Sequence, residues 1–280
     1  MQNGRIEVIC KEKCTKNTRH CFYGQKIQIA SMNTLKKSWV NGGVWMRKQI
    51  QIWIEDISLF RKIGPHIYKK TVRRYINYRR NRFFKAGAQD ALEAFAKACD
   101  EIGSLYWLEF GTMLGAVREK NFISHDLDID IGMFAEDFSS KNEKIFKKYG
   151  FEKVCMYLVD EGIYGREETY RYNNVDIDIF YFYRQDDKVC CHTFAPLPGK
   201  SEIKTIQELG GLLVRELSYP YAELKKIDFL GNSYYIPSNI HEHLSASYGE
   251  KWMIKDKNYS NSEATNARII KNKLGQKYLC

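Results

Sequence analysis

Two short stretches of this chain alternate an acid with an aliphatic residue: "DLDIDIG" from Asp126 to Gly132, and "VDIDIF" from Val175 to Phe180. Few local patterns constrain a fold as tightly. A β-strand sends successive side chains to opposite faces. As strands, the first segment collects Asp126, Asp128 and Asp130 on one side, against Leu127, Ile129 and Ile131 on the other. The second sets Asp176 and Asp178 opposite Val175, Ile177 and Ile179. Each strand then needs one buried face and one face on which like charges stand together. Stacked carboxylates repel, and a strongly positive partner makes such a face tenable.

Three readings of the acids compete. An EF-hand needs Gly at its sixth position and Glu at its twelfth; counted from Asp126, those positions hold Ile131 and Asp137. A solvated acidic edge strand accounts for either motif alone. Two acid-alternating strands in one domain favour a divalent-metal site, because Mg²⁺ or Mn²⁺ takes carboxylate oxygens and leaves positions for phosphate. Asp128, Asp130 and Asp178 are the candidate metal and catalytic residues, with Asp126 and Asp176 in reserve.

The turn ahead of the first motif, "EFGTMLGAVR", sets Gly111 and Thr112 between a strand and a short helix. Free N–H groups at a helix start suit a phosphate. Gly111 permits close backbone approach, Thr112 adds a hydroxyl, and Arg118 offers a bidentate guanidinium. The plainer alternative is that Gly111 and Gly115 serve packing and Arg118 lies on the surface.

The remaining pattern is mixed α+β, a central sheet flanked by helices. "AQDALEAFAKACDEIG" reads as a helix closed by Gly103. "FEKVCMYLV", "TYRYNN" and "VDIDIFYFYR" read as antiparallel neighbours, "IKTIQELGGLLVREL" and "NIHEHLSASYG" as helical, and "KKIDFLGNSYYIP" as a β element between them. Strands are expected at "RIEVIC" and "KIQIA", and a helix over 44–63. The expected division is a basic extension at 1–85, a catalytic domain at 86–258 and a tail at 259–280. His241 and His243, two apart on a helix, do not face each other. Cys10, Cys14, His20 and Cys21 fit no strong zinc spacing. Cys190 and Cys191 face opposite sides of a strand and read as packing residues, and Tyr106 and Trp107 as core.

Charge is unevenly placed. Residues 1–85 hold 20 Lys/Arg against 4 Asp/Glu, whereas the rest hold 24 against 30. The helix "HIYKKTVRRYINYRRNRFF" combines Lys69, Lys70, Arg73, Arg74 and Arg80 with Tyr68 and Tyr75. That suits an anionic membrane surface, with a solvated helix face as the alternative; no nucleic-acid module accompanies the charge. With no secretory signal pattern and no apolar run of about 18 residues, the chain reads as cytoplasmic, peripheral on the inner membrane face.

The motifs resemble a known family. "FGTMLGAVREKNFISHDLDIDIG" is similar to the signature of the LicD/fukutin phosphotransferases, and "VDIDIF" and "KKIDFLGNSYYIPSNIHEHLSASYGEKWM" extend the likeness over about residues 90–255. His125 and Leu127 stand where the family usually carries Trp and Asp. The resemblance implies a nucleotidyltransferase-like α+β fold and metal-dependent transfer of choline, ribitol or glycerol phosphate from a CDP-alcohol donor to a hydroxyl of a cell-surface glycan, lipid-linked or not. Asp128 and Asp130 match the metal pair, and Asp178 the third carboxylate that orients or deprotonates the acceptor. It also points to lipopolysaccharide or capsule biosynthesis. A nucleotidylyltransferase releasing pyrophosphate, and a non-catalytic membrane- or polymer-binding member, stay open.

Overall fold

A long helix, α1 (Arg73–Ile102), begins the described part of the chain. The computed structural model describes residues 73–255 and 266–280. The expected elements at "RIEVIC", "KIQIA" and 44–63, with Cys10, Cys14, His20, Cys21, Tyr68, Lys69 and Lys70, lie outside the described residues. Internal contacts divide the chain between Arg73 and Arg74, and the unit from Arg74 onward holds the acid motifs.

α1 buries Phe84, Ala88, Ala91, Leu92, Phe95, Ala98 and Cys99, a stripe at helical spacing. Its alanines share one core with Ile129 and Ile177, and the Phe95 ring stacks on Phe146 at 5.3 Å. Gly103, at φ +75°, ends it as the sequence predicts, its N–H donating to the Cys99 carbonyl.

The following elements are β1 (Tyr106–Leu108), α2 (Phe110–Leu114), β2 (Asp128–Phe134), α3 (Asn142–Lys148), β3 (Glu152–Val159), β4 (Gly165–Tyr172), β5 (Val175–Gln185) and β6 (Lys188–Ala195). Then come α4 (Glu202–Leu209), β7 (Leu212–Pro220), the hairpin β8 (Leu224–Phe229) and β9 (Asn232–Pro237), α5 (Ile240–Tyr248) and β10 (Ala267–Leu279). The fold is mixed α+β. Its sheet runs β1-β2-β5-β4-β3-β10-β7-β6, and β6 pairs again with the last residues of β5. Six strands thus form a closed ring from β5 round to β6, with β2 and β1 attached outside it. β2 and β5 are parallel, and the other pairings among the described residues are antiparallel.

The aliphatic half of each acid motif drives this arrangement. Ile129, Ile131, Ile177 and Ile179 are 0% exposed, each burial contributing roughly 1.5–3 kcal/mol. Gly132 lies opposite Trp107 on β1, where any Cβ would run into the indole.

Two expectations change. The segment expected as a tail contributes β10, which pairs with both β7 and β3. "LLVREL", expected as helix, is strand β7: Gly210, at φ +80°, ends α4, and the alternating burial that follows follows the strand period.

Candidate functional site

The parallel register brings the two acid motifs together. Asp128 lies beside Asp176, and Asp130 beside Asp178. On the far side of β5, Thr169 lies beside Asp178 and Arg171 beside Asp176. Strands β2, β5 and β4 therefore present one continuous polar face. Asp126 precedes β2 rather than lying in it. It still reaches the cluster, because a Cβ added to Gly111 would sit 3.3 Å from an Asp126 carboxylate oxygen and 3.2 Å from one of Asp130.

The Gly-Thr turn clamps Asp130. The Gly111 N–H donates to Asp130 Oδ2 at 3.0 Å. The Asp130 N–H donates to Thr112 Oγ1 at 2.9 Å, and the Glu109 N–H donates to the Asp130 carbonyl at 3.1 Å. Thr112 is fully buried. Gly111 and Thr112, the residues expected to meet a phosphate, thus hold a site carboxylate in place. Arg118 donates to the Trp252 carbonyl at 3.0 Å and to Glu119 at 2.9 Å, while its Nε is buried without a partner.

The five aspartates are not equivalent. Asp176 is already neutralised: Arg171 grips it bidentately at 2.6 and 3.0 Å, and Arg80 donates to it at 3.3 Å. Arg80 also lies 3.9 Å from Asp128 and donates to the Leu127 carbonyl at 3.4 Å. It therefore belongs to the site rather than to the exposed basic face expected of its helix. Asn81 donates to the carbonyls of Ser124 and Asp126, securing the loop before β2. His125 is exposed and Leu127 half-buried.

The other carboxylates share too few cations. Burial, then the Asp128 charge, pushes Asp178 up to about 7, against a hydrogen bond from Thr169. Burial, then Asp128 and Glu119, pushes Asp126 up to about 7. Asp130 is raised well above the carboxylate range by burial and by Asp128, Asp178 and Asp126. Asp128 is raised by burial against the pull of Arg80, and Glu167 on β4 by burial and Asp178. Asp178 Oδ1 is buried with no hydrogen-bond partner. Carboxylates gathered on one face by the strand register, with one oxygen orphaned, are a donor set of the kind a hard divalent cation takes.

Several site residues were invisible to the motif search. Arg80 reaches Asp176 from 96 residues away on α1, whereas Arg171 is a local partner across the β4–β5 hairpin, in the "TYRYNN" segment read as a neighbouring strand. Glu109, fully buried, caps α2 by accepting from the Phe110 N–H. It also accepts from Trp107 Nε1 at 2.7 Å and lies 2.7 Å from His243 Nε2, whose ring stacks on Tyr219. His243 is buried and His241 exposed, as their spacing on a helix dictates.

A family model described as LicD/FKTN/FKRP, nucleotidyltransferase domain, matches residues 103–207. Ribitol-5-phosphate transferase FKTN of Macaca fascicularis is 28% identical over 182 residues, covering 63% of this chain and 35% of its own length. The Homo sapiens protein of the same name is 27% identical over the same shares. Ribitol 5-phosphate transferase FKRP of Mus musculus is 31% identical over 90 residues, 29% of this chain and 17% of its own. The chain thus spans about a third, 35%, of the length of the first of these relatives.

Proposed function

Residues 103–207 place this chain in the LicD/FKTN/FKRP family, and from that premise we propose that it is a metal-dependent transferase of a phospho-alcohol. The donor is a CDP-alcohol carrying ribitol, glycerol or choline phosphate, and the acceptor is a hydroxyl of a cell-surface glycan. The observation that carries the reading is the register of Asp128 with Asp176 and of Asp130 with Asp178, with Asp178 Oδ1 left unpartnered. Asp128, Asp130 and Asp178 are the residues to hold Mg²⁺ or Mn²⁺, which when bound neutralises charge on the phosphates and the departing CMP.

The chain's own groups account for the rest. Asp178, beside Asp130 on the polar face, is placed to orient the acceptor hydroxyl and take its proton. The acceptor oxygen bonds to phosphorus as the P–O bond to CMP breaks, and the proton passes to Asp178. Asp176 stays locked by Arg171 and Arg80, which fixes the register of β5 against β2 and β4. The Glu109–Thr112 turn fixes Asp130 from the other side.

Among the described residues no helix is long and apolar enough to cross a membrane. For a lipid-linked acceptor the proposed contact is the exposed face of α1. Tyr75 and Tyr78 are 56% and 66% exposed there, alongside exposed Arg74, Arg82 and Lys85. Aromatic and basic residues so placed suit an anionic headgroup layer.

The decisive experiment is mass analysis of products from CDP-ribitol, CDP-glycerol, CDP-choline and nucleoside triphosphates, each with Mg²⁺ and candidate glycans. CMP release with a phospho-alcohol left on the glycan supports the proposal. Pyrophosphate release with a nucleotide left on the acceptor overturns it in favour of nucleotidylyl transfer.

A further inference from the structure

The closed ring of strands carries a second cluster. Among the described residues, Cys190, His192 and Glu216 form the one group of three metal-binding side chains whose ligand atoms all lie within 4.8 Å of one another. Cys190 and His192 are two apart on β6, hence on one face, and Glu216 of β7 lies directly opposite His192. Cys190 is also paired with Tyr183 of β5, so the cluster sits at the seam where the ring closes.

Its polar groups are arranged oddly for a metal-free core. Cys190, His192 and Glu216 are 0%, 1% and 1% exposed. His192 Nδ1 has no partner, and Nε2, 3.4 Å from Glu216 Oε2, lies outside hydrogen-bonding geometry. A buried unpartnered polar group is costly and calls for an explanation such as an ion. The ring is held between Tyr164 and Tyr183 at 4.7 and 5.7 Å, and a Cβ on Gly165 would come within 2.9 Å of it.

The neighbours suit a metal's outer partners. Arg268 Nε donates to Glu216 Oε1 at 2.7 Å, which leaves Oε2 turned toward His192 with a hydrogen bond from Tyr164 at 2.8 Å. Gln185 Nε2 donates to Cys190 Sγ at 3.0 Å, as an amide does to a metal-bound thiolate. Metal–ligand bonds of about 2.0–2.3 Å put tetrahedral ligands about 3.3–3.8 Å apart. The side chains therefore need to close by only about 1 Å.

We propose that Cys190, His192 and Glu216 bind a Zn²⁺ ion that pins the β5–β6–β7 seam of the ring. The chemistry balances: the Cys190 thiol gives its proton to solvent, and thiolate and carboxylate together match the ion's two charges. Neutral His192 supplies the third ligand, and water completes a tetrahedron. A soft sulfur ligand selects zinc over the magnesium suited to the all-oxygen cluster of β2 and β5.

The test uses the full chain. Purified from zinc-replete medium, it should carry about one equivalent of zinc by elemental mass spectrometry. Reloaded with Co²⁺, it should show a thiolate-to-metal charge-transfer band. Cys190→Ser and His192→Asn should each lose the zinc, and Cys190→Ser the band. A variant with Cys10, Cys14 and Cys21 all changed to Ser should keep both, as should Asp128→Asn. The proposal is overturned if wild type carries no zinc and develops no band. It is equally overturned if both vanish in the triple variant, or if folded Cys190→Ser retains them. Should Cys190→Ser misfold by circular dichroism, retention of zinc and band by the triple variant still supports the site, and their loss still refutes it.

Discussion

Replacing Asp178 by Asn should make the metal-free protein more stable at alkaline pH while removing its response to divalent cations. The side chain is half-buried with one orphaned oxygen, and burial followed by Asp128 raises it to about 7 from the usual 3.8. A group raised on folding contributes stability below its unfolded pKa and loses it as pH climbs through the folded value. For Asp178 that loss accumulates between about pH 4 and pH 7 and levels off above. At about 1.36 kcal/mol per pH unit the full span is worth roughly 4 kcal/mol, and residual solvent contact reduces this to about 2–3 kcal/mol. In a unit of this size each kcal/mol moves Tm by roughly 2–4 °C. We therefore expect Asp178→Asn, in EDTA at pH 8, to melt roughly 5–10 °C above wild type, the gap narrowing toward pH 4. Mg²⁺ at about a hundred times its Kd should stabilise wild type by about 2.7 kcal/mol and the variant by much less. The assay is a thermal melt across pH 4–9 with and without Mg²⁺. A variant no more stable than wild type at pH 8, or a gap that ignores pH, would show that the acid face is not electrostatically strained.

Asp128→Asn and Asp130→Asn should each abolish CMP release with the far-UV spectrum unchanged, since losing a metal carboxylate removes several kcal/mol of charge stabilisation. His243→Ala should destabilise by about 1–3 kcal/mol in a urea titration, because it removes a buried hydrogen-bond partner of Glu109; a change within about 0.5 kcal/mol would mean that this contact contributes nothing to folding. Changing Arg74, Arg82 and Lys85 together to Gln should weaken co-sedimentation with anionic vesicles at low salt and leave turnover of a soluble acceptor intact. Undiminished binding would return this face of α1 to a purely solvated role.

What the residues determine alone is local. The acid–aliphatic alternation of Asp128–Ile131 and Asp176–Ile179 needs only the two-residue strand period to sort itself into a buried face and a charged one. The stripe from Phe84 to Cys99 and the turn at Gly103 needed only helical spacing and one left-handed glycine. Where two periods competed, as in "IKTIQELGGLLVREL", the pattern misled, because a short apolar run fits a helix or a strand until its burial is known. The rest belongs to contacts between distant segments. Setting Asp128 beside Asp176 takes a parallel pairing across 48 residues, and α1 must dock before Arg80 can reach that pair. The hydroxyl of Thr112 is visible in the sequence, whereas the Asp130 N–H that donates to it is not. The pairing of β6 with β7, which brings Cys190 and His192 to Glu216, the closing of β6 onto β5, and the return of β10 between β3 and β7 leave no periodic mark. Such pairings are decided by which whole arrangement buries the most apolar surface with every backbone group bonded, and no window of neighbouring residues contains that comparison.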